Sequence, residues 1–234
     1  MAIRRPPTTF SDSITGADLA SDIAISTTGN IATTGSGTLT VAGNTTLSGT
    51  NNLGSNPTLT LGTNTTFPSG HIIQCQFVHM TGSFAHSNNT LTQVTDGSNP
   101  LLKAITPIKA SSKILVMLSC SMAGGESHTQ GYLQLQRKVA SGSYGVIGGG
   151  SDLGSNRNPA LGQVSTTRVE ATNQIGYHFF DSPSYSVGDE ITYRVMGAGQ
   201  QGGYYVYVGR ARQSGDANYV SRMPSTLTLL EIAN

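Results

Sequence analysis

Ser111-Ser-Lys-Ile-Leu-Val-Met-Leu-Ser-Cys-Ser121 is the stretch on which the fold class turns. Two serines and a lysine read as a polar turn. The aliphatic run 114–118 that follows reads as a β-strand buried on both faces. It is far shorter than the roughly 20 residues that a helix needs to cross a bilayer. Outward from it, segments of the same kind recur at 72–78, 91–94, 132–137, 144–147, 163–170, 174–180, 190–196, 204–208 and 226–232. Turn clusters such as Asp96-Gly-Ser-Asn-Pro100 and Gly148-Gly-Gly-Ser-Asp152 separate them. Short strands, frequent turns and no amphipathic helical period predict an all-β antiparallel sandwich over 69–234, built as a jelly roll.

Composition agrees. Only 11% of the 234 residues are charged, against about 25% in a typical soluble domain. Hydrophobic residues make up 36%, and Gly, Ser, Thr and Asn fill the remainder. Thr and Val favour strands; Gly and Asn favour turns. A net charge of +1 does not fit the high-charge signature of disorder. No basic patch points to nucleic acid, and no segment to membrane insertion. Met1-Ala-Ile-Arg-Arg-Pro-Pro7 is followed by no apolar core of a secretory signal, so synthesis and retention in a cytoplasm are expected.

Two segments precede the sandwich. Residues 1–22 contain Arg4, Arg5, Pro6 and Pro7. Consecutive prolines favour an extended backbone with few amide donors. Such a tail either threads onto a partner surface or frays. Residues 23–68 repeat thin units such as Gly37-Thr-Leu-Thr-Val-Ala-Gly43 and Pro57-Thr-Leu-Thr-Leu-Gly62, and no Asp, Glu, Lys or Arg occurs from Ile23 to Thr95. Each unit offers only one or two aliphatic side chains. At about 25 cal/mol per Å2 of apolar surface, these cannot offset roughly 1–2 kcal/mol of backbone ordering per residue. The segment is therefore either disordered or intertwined with identical chains around one axis. Its apolar-polar alternation favours intertwining.

Candidate chemistry is sparse. A glycosidase needs two carboxyls about 5–10 Å apart. Asp189 and Glu190 are adjacent and would face opposite ways on a strand; Asp181 reads as an Asx-type turn residue before Pro183; Asp152 sits in a Gly-rich loop. No catalytic constellation results, and an enzyme is not expected. His71, His79, His86, His128 and His178 show no H-x-H or H-x3-H spacing, so neither a metal nor a cofactor is expected. Cys75 and Cys120 read as two buried thiols, with a disulfide left open because sequence does not reveal their separation. Glu231 reads as a solvated carboxylate, or else as a partner for an Arg across a subunit interface. In Tyr204-Tyr-Val-Tyr207, the period of two puts Tyr205 and Tyr207 on one face and Tyr204 with Val206 on the other. Exposed, the tyrosines would suit stacking on sugars; burial is the plainer account. The loops 122–131, 148–160 and 197–203 are the first places to seek a binding surface.

One resemblance rests on the order of motifs. Phe67-Pro-Ser-Gly-His-Ile-Ile-Gln74, Ile105-Thr-Pro107, Ser111-Ser-Lys-Ile-Leu-Val116, Leu133-Gln-Leu-Gln-Arg137, Phe180-Asp-Ser-Pro183, Ile191-Thr-Tyr-Arg194 and Ser225-Thr-Leu-Thr-Leu-Leu-Glu-Ile232 occur in that sequence. This set resembles a C-terminal module of virion fibre and tail proteins of phages, including those of cyanobacteria. The segment 23–68 looks like their shafts, so the resemblance covers about residues 25–234. It implies a homotrimer with an intertwined β shaft, its N-terminus held on the virion and its C-terminus outward. The implied role is a tail fibre or spike that attaches to the host surface. A capsid decoration protein or head fibre is the alternative. Other virion proteins would be partners through Arg4, Arg5, Pro6 and Pro7, and a host surface glycan through Tyr204, Tyr205 and Tyr207.

Overall fold

The computed structural model describes residues 65–125, 130–150, 158–165, 168–213, 215, 218 and 220–234. The expected docking peptide 1–22, with Arg4, Arg5, Pro6 and Pro7, lies outside these residues, as does the expected shaft up to residue 64.

The described residues form strands, turns and loops only. Twelve strands follow in order: β1 (Ile72–Met80), β2 (Phe84–His86), β3 (Thr92–Gln93), β4 (Leu102–Ile105), β5 (Lys113–Gly124), β6 (Gln130–Val139), β7 (Gly145–Ile147), β8 (Gly162–Ser165), β9 (Asn173–Asp181), β10 (Ile191–Gly199), β11 (Val206–Val208) and β12 (Ser225–Ile232). They make two six-stranded antiparallel sheets. In the first sheet, β5 is central. It pairs with β9 on one side and with β12 and then β11 on the other; β1 pairs β12, and β2 pairs β11. In the second sheet, β10 pairs β6 on one side and β3 and β4 on the other, while β7 and β8 pair the far side of β6.

The pairing explains the fold. β1 joins β12, β4 joins β10, β5 joins β9 and β6 joins β8, so the two halves of the chain are matched in reverse order. A long antiparallel hairpin rolled this way gives the orders β1-β12-β5-β9 and β4-β10-β6-β8, which is a jelly roll. The all-β jelly-roll expectation therefore holds for the described residues. The strands β2 and β4 are additions. Phe84-Ala-His86 is too short to display alternation, and Leu102–Ile105 follows directly on the Pro100 turn.

Alternation then sorts side chains. Ile114, Val116, Leu118 and Cys120 of β5 and Leu227 and Leu229 of β12 face inward and are buried. They meet Leu133 and Leu135 of β6 and Ile191, Tyr193 and Val195 of β10, buried equally. Each such side chain contributes about 1.5–3 kcal/mol when fully buried. Cys120 is one of them, and burial pushes its thiol up to about 12.

Three sequence expectations are corrected by the same alternation. Asp181 does not cap a turn. It ends β9 opposite Ile114, so it points inward, where Arg137 holds it at 2.6 Å and Tyr193 Oη donates to it at 2.7 Å. The pair ties β9 of one sheet to β6 and β10 of the other. Glu231 is not solvated. It is 0% exposed and accepts the amides of Ile108 and Lys109, the Ser112 hydroxyl at 2.8 Å and Gln74 Nε2 at 2.6 Å. It pins the loop 106–112 beneath the sandwich. Cys75 is not buried: it lies opposite Leu230 on the outward side of β1 and is exposed. Neither cysteine is in a disulfide.

The register also gives the sandwich two ends. β1 leaves the base beside Ile232 and reaches the far end beside Ser225. Gly70 N donates to Ala233 O and Ala233 N to His71 O, so the last residues return to the end where the chain arrives from residue 65.

Candidate functional site

The outward side of the first sheet is the unusual surface. Three registered rows cross its four long strands. Cys75, Leu230, Leu115 and Phe180 form one; Phe77, Thr228, Met117 and His178 the next; His79, Thr226, Ser119 and Gly176 the third. In an antiparallel sheet with one wet side, that side is normally polar. Here Phe77 is 62% and Phe180 60% exposed. Leu115, Met117 and Leu230 are half-buried between them. Among the Asp, Glu, Lys and Arg residues of β1, β5, β9 and β12, only Lys113 faces this way, because Asp181 and Glu231 point inward. A contiguous apolar patch of this kind marks an interaction surface.

The outward side of the second sheet is finished differently. Arg194 donates twice to Gln136 Oε1, at 2.9 and 2.7 Å. Gln136 Nε2 donates to Gln134 Oε1 at 2.8 Å, and Gln134 Nε2 to Pro159 O at 3.2 Å. The guanidinium of Arg194 also stacks 3.6 Å above the Tyr144 ring, and Lys138 lies 5.5 Å from it. This side is polar and internally satisfied.

The far end carries the expected binding loops. The strand ends Gly124, Gln130 and Gly199 meet there, as does the β11 start at Val206. Gln200 N donates to Gln130 O, Gly199 N to Asn88 O and Gly203 N to Ser87 O, which knits 197–203 to its neighbours. Gly199 is required: a Cβ there would run into the carbonyl oxygen of Tyr204. The loops 122–131 and 197–203 thus share one end. The described parts of 148–160 lie along the side, where Gly149 abuts Pro159 and Tyr177 Oη donates to Gly148 O.

Tyr204 is half-buried just before β11, Tyr205 is 38% exposed and Tyr207 is buried. The rings of Tyr205 and Tyr207 stack in parallel, 5.5 Å apart, and Arg210 lies 4.7 Å from the Tyr207 ring centre. The period of two is as expected: Val206 points into the core, and Tyr205 and Tyr207 share the opposite side. One tyrosine, Tyr205, therefore offers a free ring edge at the far end. His79 and His178 are on the apolar face, His71 and His86 are apart from them, and His128 lies outside the described residues. Asp189 binds the Ser186 amide at 2.8 Å before β10. Among the described residues no three His, Cys, Asp or Glu gather as metal ligands would.

Sequence reading missed the apolar face. Its signal was present in the parity of two strands: β1 carries Val78 and Met80 inward but Cys75 and Phe77 outward, and β9 carries Tyr177 and Phe179 inward but Phe180 outward.

No protein-family model matches the chain, and no curated protein matches it. Solved structures do. The infectious bursal disease virus Gx strain aligns at TM-score 0.34 and 11% identity, over 76% of this chain and 42% of that one. The Gt strain gives TM-score 0.34 and 10% identity over 76% and 42%. A mutant VP2 protein of the same virus, in derived T=1 particles, gives 0.27 and 13% over 76% and 41%. The chain spans about two-fifths of the length of these structures. A likeness this loose says nothing about function.

Proposed function

We propose that the chain is a structural protein of a phage virion, a homotrimeric tail fibre or spike that attaches to the host surface. It acts by binding and not by catalysis. The observation that carries this reading is the polarity of the sandwich. Residues 65–71 enter the sandwich at the base, where residues 233–234 also return, and the glycine-rich loops and Tyr205 collect at the opposite end. A domain built this way presents its loops away from whatever holds its N-terminal segment. The ordered motifs from Phe67 to Ile232 support the same reading, as does the apolar-polar alternation of 23–68, which favours intertwining over disorder. In this scheme Arg4, Arg5, Pro6 and Pro7 dock on the particle, and three copies multiply weak contacts through avidity.

Light scattering on the full-length chain tests it. A trimeric mass with an elongated outline in electron micrographs is expected. A dilute monomer would sink the reading. Labelling intact particles then separates a tail position from the capsid decoration that the same fold could also serve. A Tyr205→Ala variant that adsorbs to host cells as well as the unaltered chain would remove that ring from the attachment surface.

A further inference from the structure

We infer that the outer face of the first sheet is the surface on which copies of this chain pack against one another, with Phe77 and Phe180 as its anchors. The inference rests on the homotrimer proposed above and adds where its contact lies.

Four observations lead to it. First, the apolar run 114–118 of β5 reads as buried on both sides. Of the run 114–118, one chain buries only Ile114, Val116 and Leu118 and leaves Leu115 and Met117 at a half-open surface. The second side is therefore short of a cover. Second, the face has the wrong chemistry for a charged partner. An anionic ligand needs several cations and a cationic one needs carboxylates; the four strands turn only Lys113 outward and no carboxylate. A neutral apolar face fits another neutral apolar face, and a second copy supplies it without further assumption. Third, the chain preceding residue 65 leads directly into β1, an outer strand of this very sheet. If residues 23–64 of several chains pool their sparse aliphatics about one axis, β1 emerges next to that axis, and its face follows. Fourth, the size is suitable. Four strands about 4.8 Å apart and about 30 Å long give a flat area on the order of 500 Å2. A standard interface takes about 800 Å2 from each partner. The face supplies more than half of that.

Cys75 is a built-in reporter. It stands exposed on this face in a single chain, whereas Cys120 is closed inside the core.

The test uses the full-length chain. Mass is measured by light scattering, and alkylation of the native protein by a maleimide is followed at each cysteine. The Phe77→Glu/Phe180→Glu variant is compared with Val146→Glu/Val187→Glu, which alters exposed apolar residues off this face (45% and 56% exposed). The unaltered chain and the control are expected to hold the trimeric mass with Cys75 at least tenfold slower to react than in the urea-unfolded chain. The Phe77/Phe180 variant is expected to lose the trimeric mass and to open Cys75 while Cys120 stays closed, which also shows that it is folded. If that variant does not fold, protection of Cys75 in the unaltered trimer decides the matter alone. A trimer with fast-reacting Cys75, or a variant that keeps its mass, overturns the assignment of the face and leaves the fibre reading standing. A monomer with open Cys75 overturns both. A monomer with protected Cys75 also overturns both and gives the face to the chain's own preceding segment.

Discussion

The two sheets of this sandwich have similar strands and the same alternation, yet their outer sides end in opposite ways. The second sheet completes its outer side from within the chain: Arg194, Gln136, Gln134 and the Pro159 carbonyl satisfy one another in series, and Tyr144 lies under the guanidinium. The first sheet leaves Phe77, Phe180 and Cys75 open. Inward patterning makes a fold, and either outward pattern is compatible with it. The outward pattern is where the sheets part: satisfied polar groups on one side, open apolar groups on the other.

Neighbouring positions on β5 give the largest test of that contrast. Leu118 points into the core and Met117 onto the open face. Leu118→Ala is expected to lower the unfolding free energy by about 2–5 kcal/mol. Met117→Ala should cost under about 1 kcal/mol in the unfolding of the sandwich and act on self-association instead. Urea titrations followed by tyrosine fluorescence, alongside mass measurements, separate the two. Equal losses of stability at both positions would erase the distinction between the sides.

The next effect belongs to the base, where both sheets depend on buried carboxylates. Glu231→Gln keeps the shape but brings an amide N–H2 against the amides of Ile108 and Lys109. The expected cost is about 2–3 kcal/mol, with faster proteolysis in 106–112 as the local readout. Cleavage that is unchanged there would mean that Glu231 does not hold the loop.

Gln136→Leu on the second sheet is expected to cost about 1 kcal/mol, because it breaks the Arg194 and Gln134 bonds at a half-buried site. It should leave the trimeric mass intact. Loss of the trimer from this change would move the contact to the wrong sheet.

The last effect is a drift with pH, spread over a range and not tied to one contact. Burial raises the thiol of Cys120 to about 12, above the ordinary value of about 8.5. A group raised in the folded chain contributes its full stability below the unfolded value and loses it as pH climbs towards the folded one. Tyr193 acts in the same direction from about pH 10, its phenol raised by burial and by Asp181. Urea midpoints should therefore fall between pH 8 and pH 10.5, and Cys120→Ala should flatten the part below pH 10. A midpoint that rises over this range would contradict the burial of both groups.

Much of the jelly roll was legible before any coordinates. The 113–121, 132–137 and 226–232 segments alternate or run apolar between clear turns, and each became a long strand at nearly those limits. The short β2 and β4 were not legible, since three or four residues show no period. The carboxylates misled for another reason. Asp181 before Ser-Pro has every local mark of a turn residue, and Glu231 near the end has every mark of a solvated one. Their burial depends on partners 44 positions away at Arg137 and 123 at Ile108, which no local pattern encodes. Of the three tyrosines singled out, the structure covers Tyr207 on the side away from the core and leaves Tyr205 the most open.

What sequence alone determined is the class of the fold and the scarcity of aliphatic side chains in 23–68, because period, turn chemistry and the supply of aliphatic side chains are local quantities that add along the chain. What only the tertiary structure decided is which side of which strand stays open. That depends on register between β1, β12, β5 and β9, and a shift by one residue would exchange Phe77 and Phe180 for Val78 and Phe179 and turn the sheet inside out.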